Sequence, residues 1–151
     1  MSNVSDLSPD ELIQSALEMP EAVAELERRY GSVRALLVVD FSAMRARTDA
    51  FGIVYALATF RAAFDAYRPA ISEHLGTEIK TVADTLFASF DTPAAAMAAA
   101  LDGHARMVAF NAGRSGDIHA GIPDAPIHPR TGLGFGHVLS MPGNIYGGEV
   151  N

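Results

Sequence analysis

Two short runs rich in β-branched and aromatic residues, Ile79–Val82 and Leu86–Phe90, stand almost end to end in the stretch GTEIKTVADTLFASFD (76–91). So close a pair, joined by a tight turn that holds Asp84, reads as a β-hairpin. A hairpin alone is marginal in water and needs a larger sheet to join. Leu36–Phe41 supplies one: a continuous apolar run ended by an acid, Asp40, fits a central strand buried on both faces. Leu133–Leu139, which alternates with Gly134 and Gly136, reads as a last strand.

The intervening segments have helical spacing. Ile53, Leu57, Phe60, Phe64, Tyr67, Ile71 and Leu75 recur at intervals of three and four, one apolar face packed on a core. Thr48 or Asp49 is the expected cap, Pro69 predicts a kink or break near Arg68, and Gly76 ends the segment. Thr92-Pro93 opens an alanine-rich helix through about Asn111, whose small side chains favour a close approach to the sheet. Asn111–Asp117 reads as a loop. Residues 118–131 carry three prolines and read as an irregular excursion with a short strand at Ile118–Ala120. Pro142–Gly148 reads as a turn.

Ahead of these lies a helical extension. Residues 1–7 read as a loose lead-in, and Ser8-Pro9-Asp10-Glu11 is a helix start with serine as N-cap and proline at N1. That helix is expected to stop near Met19, because Pro20 lacks an amide hydrogen. A second runs from Pro20 to Tyr30 with Gly31 as its stop. The division expected is 1–33, a helical extension, and 34–151, the main domain. The order strand, helix, strand, strand, helix, strand is βαββαβ, an α+β, ferredoxin-like core with a four-stranded antiparallel sheet and helices on one face. That fold hosts many activities and does not choose among them.

Composition narrows the choice. A formal net charge of -7 on 151 residues gives no general basic footprint for nucleic acid and no attraction to an anionic membrane. With no cysteine, disulfides, thiolate zinc sites and cysteine nucleophiles are excluded. No apolar run is long enough to insert in a membrane, the polar N-terminus does not fit a signal peptide, and the expected location is the cytoplasm. The five histidines, at 74, 104, 119, 128 and 137, show no ligand spacing. GxxxxGK[ST] and GxSxG motifs are absent, and GLGFG (132–136) has the wrong spacing for GxGxxG. What remains is a pair of aspartates, Asp40 and Asp84, at the ends of two buried strands. If they meet, they form the arrangement that a pair of magnesium ions on a triphosphate needs. Singly, each reads equally well as a turn residue.

The pieces VVDFS (38–42), IKTVADTLFASFD (79–91), GLGFGHVL (132–139) and NIYGGEVN (144–151), in this order, resemble the catalytic domain of class III nucleotidyl cyclases. The resemblance implies an adenylate cyclase-type activity, ATP to cyclic AMP and pyrophosphate, with two magnesium or manganese ions per site. Asp40 and Asp84 match the metal ligands, and the Phe41 carbonyl matches a further metal contact. One ion would lower the pKa of the ribose 3′-hydroxyl; the other would bind the triphosphate and offset charge on the leaving pyrophosphate. Backbone amides of Ser42, Ala43 and Met44 match the loop that grips phosphate. Lys80 matches the lysine that recognises adenine, and Asn144 stands where its partner is usually an aspartate or threonine. Asn151 matches the asparagine that orients the ribose. Ala83 stands where the family usually has glycine.

The resemblance also implies a homodimer in which one chain gives Asp40 and Asp84 and the other gives Lys80, Asn144 and Asn151. Family members carry a transition-state base and a phosphate-binding base after the position of Asn151. The resemblance therefore implies either a longer native chain or a remnant lacking part of its site. The competing reading is a cyclase-like module that dimerises or binds a nucleotide without catalysis. A diguanylate cyclase would share the core, but no GG[DE]EF turn is present.

Overall fold

Local caps decide where the first elements begin. In the computed structural model, which describes residues 3–114, 118–119, 122–123 and 125–148, Ser8 and Glu11 form a capping box at the head of α1 (Pro9–Ser15). Helix α1 ends earlier than Met19. Met19 precedes a proline and is extended (φ -125°, ψ 101°), so the turns before it unwind. The lead-in is not loose either: Val4–Asp6 forms a 3₁₀ turn, and Arg29 donates to the Leu7 carbonyl at 2.8 Å. Helix α2 (Pro20–Tyr30) then passes directly into β1 (Gly31–Phe41), five residues before the expected strand start. Gly31 is extended (φ -69°), not left-handed. It is needed for space: a Cβ there would lie 2.5 Å from the Glu27 carbonyl oxygen.

The single helix expected after β1 is two. Helix α3 (Met44–Phe51) and α4 (Ile53–Glu73) are separated at Gly52, whose φ of 85° interrupts the helical path. Thr48 and Asp49 lie inside α3 and cap nothing. Pro69 does not end α4, which continues to Glu73. Burial of Ala70 and Ile71 in the core holds this last turn against the hydrogen bond that proline removes. Leu75 lies beyond the helix in a left-handed conformation (φ 59°), off the buried face and exposed. Ile53 and Leu57 are exposed as well.

β2 (Thr77–Val82) and β3 (Thr85–Phe90) form the expected hairpin, with a register shift between Glu78 and Lys80. α5 (Pro93–Gly113) starts where Thr92 accepts from the Ala95 amide at 3.2 Å. In the proline-rich stretch, β4 (Ile118–His119) pairs with β5 (Ile122–Pro123) as a separate ribbon, and Ala120 lies outside the described residues. β6 (Pro129–Met141) is longer than the expected 133–139. The segment read as a closing turn holds a further strand, β7 (Asn144–Tyr146), because Pro142-Gly143, with Gly143 at φ 70°, suffices as the turn. The main sheet therefore has five strands, not four, in the order β2-β3-β1-β6-β7 with antiparallel neighbours.

Cross-strand partners share a face, so the ladders sort the side chains. Ala35, Leu37, Val39 and Phe41 point to α4 and α5 and are buried with Phe60, Phe64, Tyr67, Leu86, Ala88 and Phe90. Arg34, Leu36, Val38 and Asp40 lie on the opposite, open face. Their partners there are Ser89, Phe87 and Thr85 on one side and Gly136, Gly134, Gly132 and Arg130 on the other. The alternating glycines thus leave β6 bare backbone on this face from Gly132 to Gly136, and beyond them Val138 packs with Leu36 and Ile145 in a small second core. No helix among the described residues is long and apolar enough to cross a membrane.

Candidate active site

The hairpin turn and the end of β1 bring the two aspartates together. Asp40 pairs with Thr85, and the Phe41 amide donates to the Asp84 carbonyl at 2.9 Å. The turn requires a left-handed residue, and Ala83 fills it at φ 53°. Alanine there costs about 1 kcal/mol that glycine would not. On the open face the Asp40 carboxylate is 32% exposed and forms an ion pair with the Arg130 guanidinium, whose side chain is 73% exposed. Thr85 Oγ1 lies 3.5 Å from its other oxygen. Two carboxylates and a neighbouring backbone carbonyl are an all-oxygen donor set, which suits a hard divalent cation. No cluster of three or more acidic, histidine or cysteine ligands occurs among the described residues. Two carboxylates, with waters and substrate oxygens completing the shell, is nonetheless how magnesium is usually held. The residues fit such an ion, provided that Arg130 yields its place on Asp40.

The loop after β1 leads into α3 through Ala43, left-handed at φ 69°. The first-turn amides of a helix have no partner within it. Ser42 departs from the expected phosphate grip, because its amide donates to the His128 carbonyl at 3.1 Å and its hydroxyl accepts from the His128 amide at 3.2 Å. Ser42 thus anchors the loop to the start of β6. Ala43 and Met44 are left at the helix entrance.

The other candidate pair also meets. Lys80 Nζ donates to Asn144 Oδ1 at 2.8 Å and lies 5.3 Å from the centre of the Phe87 ring. The Asn144 oxygen accepts from the Ile145 amide at 3.0 Å, while its Nδ2 donates to the Tyr146 hydroxyl at 2.8 Å. The side-chain amide is therefore held with its acceptor toward the lysine. Beside it a concavity of about 360 Å³ opens between Tyr30, Arg34, Ile79, Ser89, Met141 and Asn144.

No protein-family model matches the sequence, and no curated protein matches it. Solved structures do. The chain superposes on an adenylate/guanylate cyclase/hydrolase from Silicibacter pomeroyi with a TM-score of 0.65 at 25% identity, over 80% of this chain and 66% of that one. It superposes on the adenylyl cyclase CyaB from P. aeruginosa with 0.66 at 17% identity, over 80% and 68%. The guanylyl cyclase Cya2 gives 0.66 at 16% identity, over 80% and 66%. The chain has the fold of a class III nucleotidyl cyclase catalytic domain. It spans about two thirds of the length of these neighbours.

Within this cyclase-like fold Asp40 and Asn144 sit at opposite ends of one ladder, while Lys80, which reaches Asn144, pairs with Phe87, two residues from the Thr85 that faces Asp40. Asp40 pairs with Arg130, whereas Asn144 pairs with Met141, beyond the Gly31–Leu139 pair that closes β1. From Arg130 to Leu139 an extended strand rises about 30 Å. Asn151 lies outside the described residues. The described histidines are dispersed, with His74 3.5 Å from Asp102 and His137 3.0 Å from Glu27. Arg130 is the site residue that sequence reasoning missed. Carrying the alternation of Gly136, Gly134 and Gly132 one step further back places position 130 on the open face, opposite Asp40.

One further group fixes the hairpin. Arg68 on α4 grips Glu78 on β2 through Nε at 2.8 Å and Nη2 at 3.1 Å. The Arg68 hydrogen bond holds the Glu78 carboxyl below its ordinary value of 4.5. A lowered folded pKa means that the contribution to stability is present above that value and is lost as pH falls below it. Arg68→Met should therefore lower the thermal midpoint by about 3 °C at pH 7, the effect of roughly 1 kcal/mol from a partly exposed pair. The gap between variant and wild type should close in acid, which thermal unfolding across pH measures. A gap independent of pH would assign the effect to lost packing of Arg68 against Phe64.

Proposed function

We propose that the chain is an adenylate cyclase-type domain that converts ATP to cyclic AMP and pyrophosphate as a head-to-tail homodimer. The observation that supports this reading is the separation of Asp40 and Asp84, at the end of β1, from the Asn144 acceptor that Lys80 holds at the far end of β6. Each pair is half of a nucleotide site, and a two-fold axis would set the phosphate half of one chain against the base half of its mate. Exposed Val82 and Leu57 beside the hairpin supply apolar surface of the kind such a contact buries. We further read the four longest strands with α4 and α5 as a split βαβ, ferredoxin-like unit, and residues 1–33 as an extension to it.

In this reading Asp40 and Asp84 hold two magnesium or manganese ions, with the Phe41 carbonyl as a further ligand. When bound, the ions lower the pKa of the ribose 3′-hydroxyl and offset charge on the triphosphate. The amides of Ala43 and Met44 would donate to phosphate oxygens at the entrance of α3. The 3′-hydroxyl gives up its proton to solvent, its oxygen bonds to the α-phosphorus, the bond from that phosphorus to the bridging oxygen breaks, and pyrophosphate leaves with the electron pair. Lys80 would donate to the acceptor edge of adenine, and Asn144 Oδ1 would accept from its amino group. An amide also offers donors, so discrimination against guanine rests mainly on how Tyr146 and Ile145 hold Asn144 in its observed orientation. Asn151 would orient the ribose.

Purified full-length protein incubated with ATP or GTP and manganese, with chromatographic detection of product, tests the reading. Cyclic AMP is expected, in excess over cyclic GMP. If neither nucleotide is cyclised, the catalytic reading fails and a nucleotide-binding or dimerisation module replaces it.

A further inference from the structure

We infer that Asn111, in the last turn of α5, is a positioning residue for the phosphate loop at the entrance of α3, which it reaches through a strap formed by residues 125–128. The inference rests on the cyclase reading of Ala43 and Met44 given above, and it goes beyond that reading in assigning a residue outside the site. The Asn111 side-chain amide bonds both backbone groups of Ile127. Its Nδ2 donates to the Ile127 carbonyl at 2.8 Å, and its Oδ1 accepts from the Ile127 amide at 2.9 Å. The next residue turns to the loop. The His128 carbonyl accepts from the Ser42 amide at 3.1 Å, and the His128 amide donates to the Ser42 hydroxyl at 3.2 Å. Arg47, buried within α3, donates to the Ala125 carbonyl. The strap therefore holds the entrance of α3 from both sides, at Ser42 before it and at Arg47 after it.

Three physical arguments assign this control to Asn111. A carboxamide carries an acceptor and donors on one rigid plane, the groups that a peptide unit offers, so Asn111 stands to Ile127 as a neighbouring strand would. Ile127 buries its side chain in the main core, and backbone groups beside so deep an anchor have to be satisfied within the protein. Asn111 satisfies both from 16 residues away, so it closes the proline-rich excursion and fixes where the strap begins. Finally, the loop does not set its own shape. Ala43 sits left-handed at φ 69°, a conformation that alanine keeps only where its surroundings impose it. Release of the strap at Ile127 frees His128 from its register with Ser42. Ala43 can then relax, and the Ala43 and Met44 amides lose their common direction.

The test separates phosphate from base and needs no turnover. Calorimetry on the full chain measures binding of manganese tripolyphosphate, which probes the phosphate half alone, and of adenosine, which probes the base half. Asn111→Ala should bind tripolyphosphate roughly tenfold weaker, the scale of one lost hydrogen bond to a charged group, with adenosine affinity unchanged. Asn111→Asp has the same size and keeps the bond from the Ile127 amide, but it has no donor for the Ile127 carbonyl. It should bind tripolyphosphate at least roughly threefold weaker, and it carries the test if Asn111→Ala does not fold. Ser42→Ala cuts the far end of the relay and should cost roughly threefold as well. Added to Asn111→Ala it should cost nothing more, since both break one relay. Unchanged tripolyphosphate affinity in the Asn111 variants overturns the inference. So does an equal loss for adenosine, which marks general loosening, and so do multiplied losses in the double variant, which mark independent sites. Wild-type protein that binds neither probe sinks this inference together with the cyclase reading. Tripolyphosphate binding that Asp84→Ala abolishes, with no loss in the Asn111 variants, sinks this inference alone. Thermal unfolding of each variant verifies that it is folded.

Discussion

Asp84→Ala is expected to lose at least about a thousandfold in cyclase activity, the scale of a removed metal ligand. Mixed in equal amounts with an equally inactive Lys80→Ala chain, it should regain about a quarter of wild-type activity. The number follows from the geometry. If Asp84 of one chain works with Lys80 of its mate, random pairing makes half of the dimers mixed, and each mixed dimer holds one intact site of two. If both residues served a site within one chain, every chain in the mixture would be defective and no activity would return. The first case is the head-to-tail dimer proposed above, with Asn144, bonded to Lys80, at the far end of the ladder from Asp40. Mixing Asp84→Ala with Asp40→Ala is the control. Those two residues belong to the same half site, joined through the Phe41 amide and the Asp84 carbonyl. No activity should reappear from that pair. Restoration there, or its absence in the first mixture, would separate the residues differently from the arrangement proposed.

Signals confined to one element proved legible. The apolar run through Val39, the β-rich hairpin and the Thr92-Pro93 cap each specify an element through its own residues, and each element is found there, with β1 starting five residues early. Features decided by packing were not. Pro69 carries a breaking signal that burial of Ala70 and Ile71 overrides. Gly52 lies directly ahead of Ile53, the first position of the apolar period, so the break it makes leaves the apolar spacing intact. β7 is only three residues long, too short to show an alternation. In the site, Asp40 and Asp84 were marked by their places at element ends. The partnership of Lys80 with Asn144 spans 64 residues and came from the family resemblance, not from spacing. Arg130 escaped because Pro129 and the prolines before it disguise the first residues of β6 as irregular chain.

The largest stability effect is expected where helices α4 and α5 touch. Gly103 lies mid-helix in α5, where glycine to alanine ordinarily stabilises by about 0.5–1 kcal/mol through helix propensity. Here the sign should reverse. A Cβ on Gly103 would fall 2.1 Å from Cζ and 2.5 Å from the hydroxyl oxygen of Tyr67. That ring is not the yielding tip of a flexible side chain. Tyr67 is fully buried, its ring meets Phe41 edge-on with centroids 6.1 Å apart, and burial, aided by the Asp102 carboxylate, pushes its phenol pKa upward. Accommodating the methyl group means separating the helices or displacing Phe41, which directly follows Asp40 in β1. Gly103→Ala should therefore destabilise by about 2–3 kcal/mol, as overpacking of a tight core does. The thermal midpoint should fall by about 7 °C, read by circular dichroism. Tyr67→Leu supplies the second arm, since a shorter side chain vacates the space that the new methyl needs. On that background Gly103→Ala should be neutral or stabilising, a coupling that independent sites would not show. An equal loss on both backgrounds would mean that the alanine strains the backbone of α5 and not its contact with α4. Because Phe41 links Tyr67 to the strand that carries Asp40, the single variant should also weaken manganese binding, although Gly103 itself touches no part of the site.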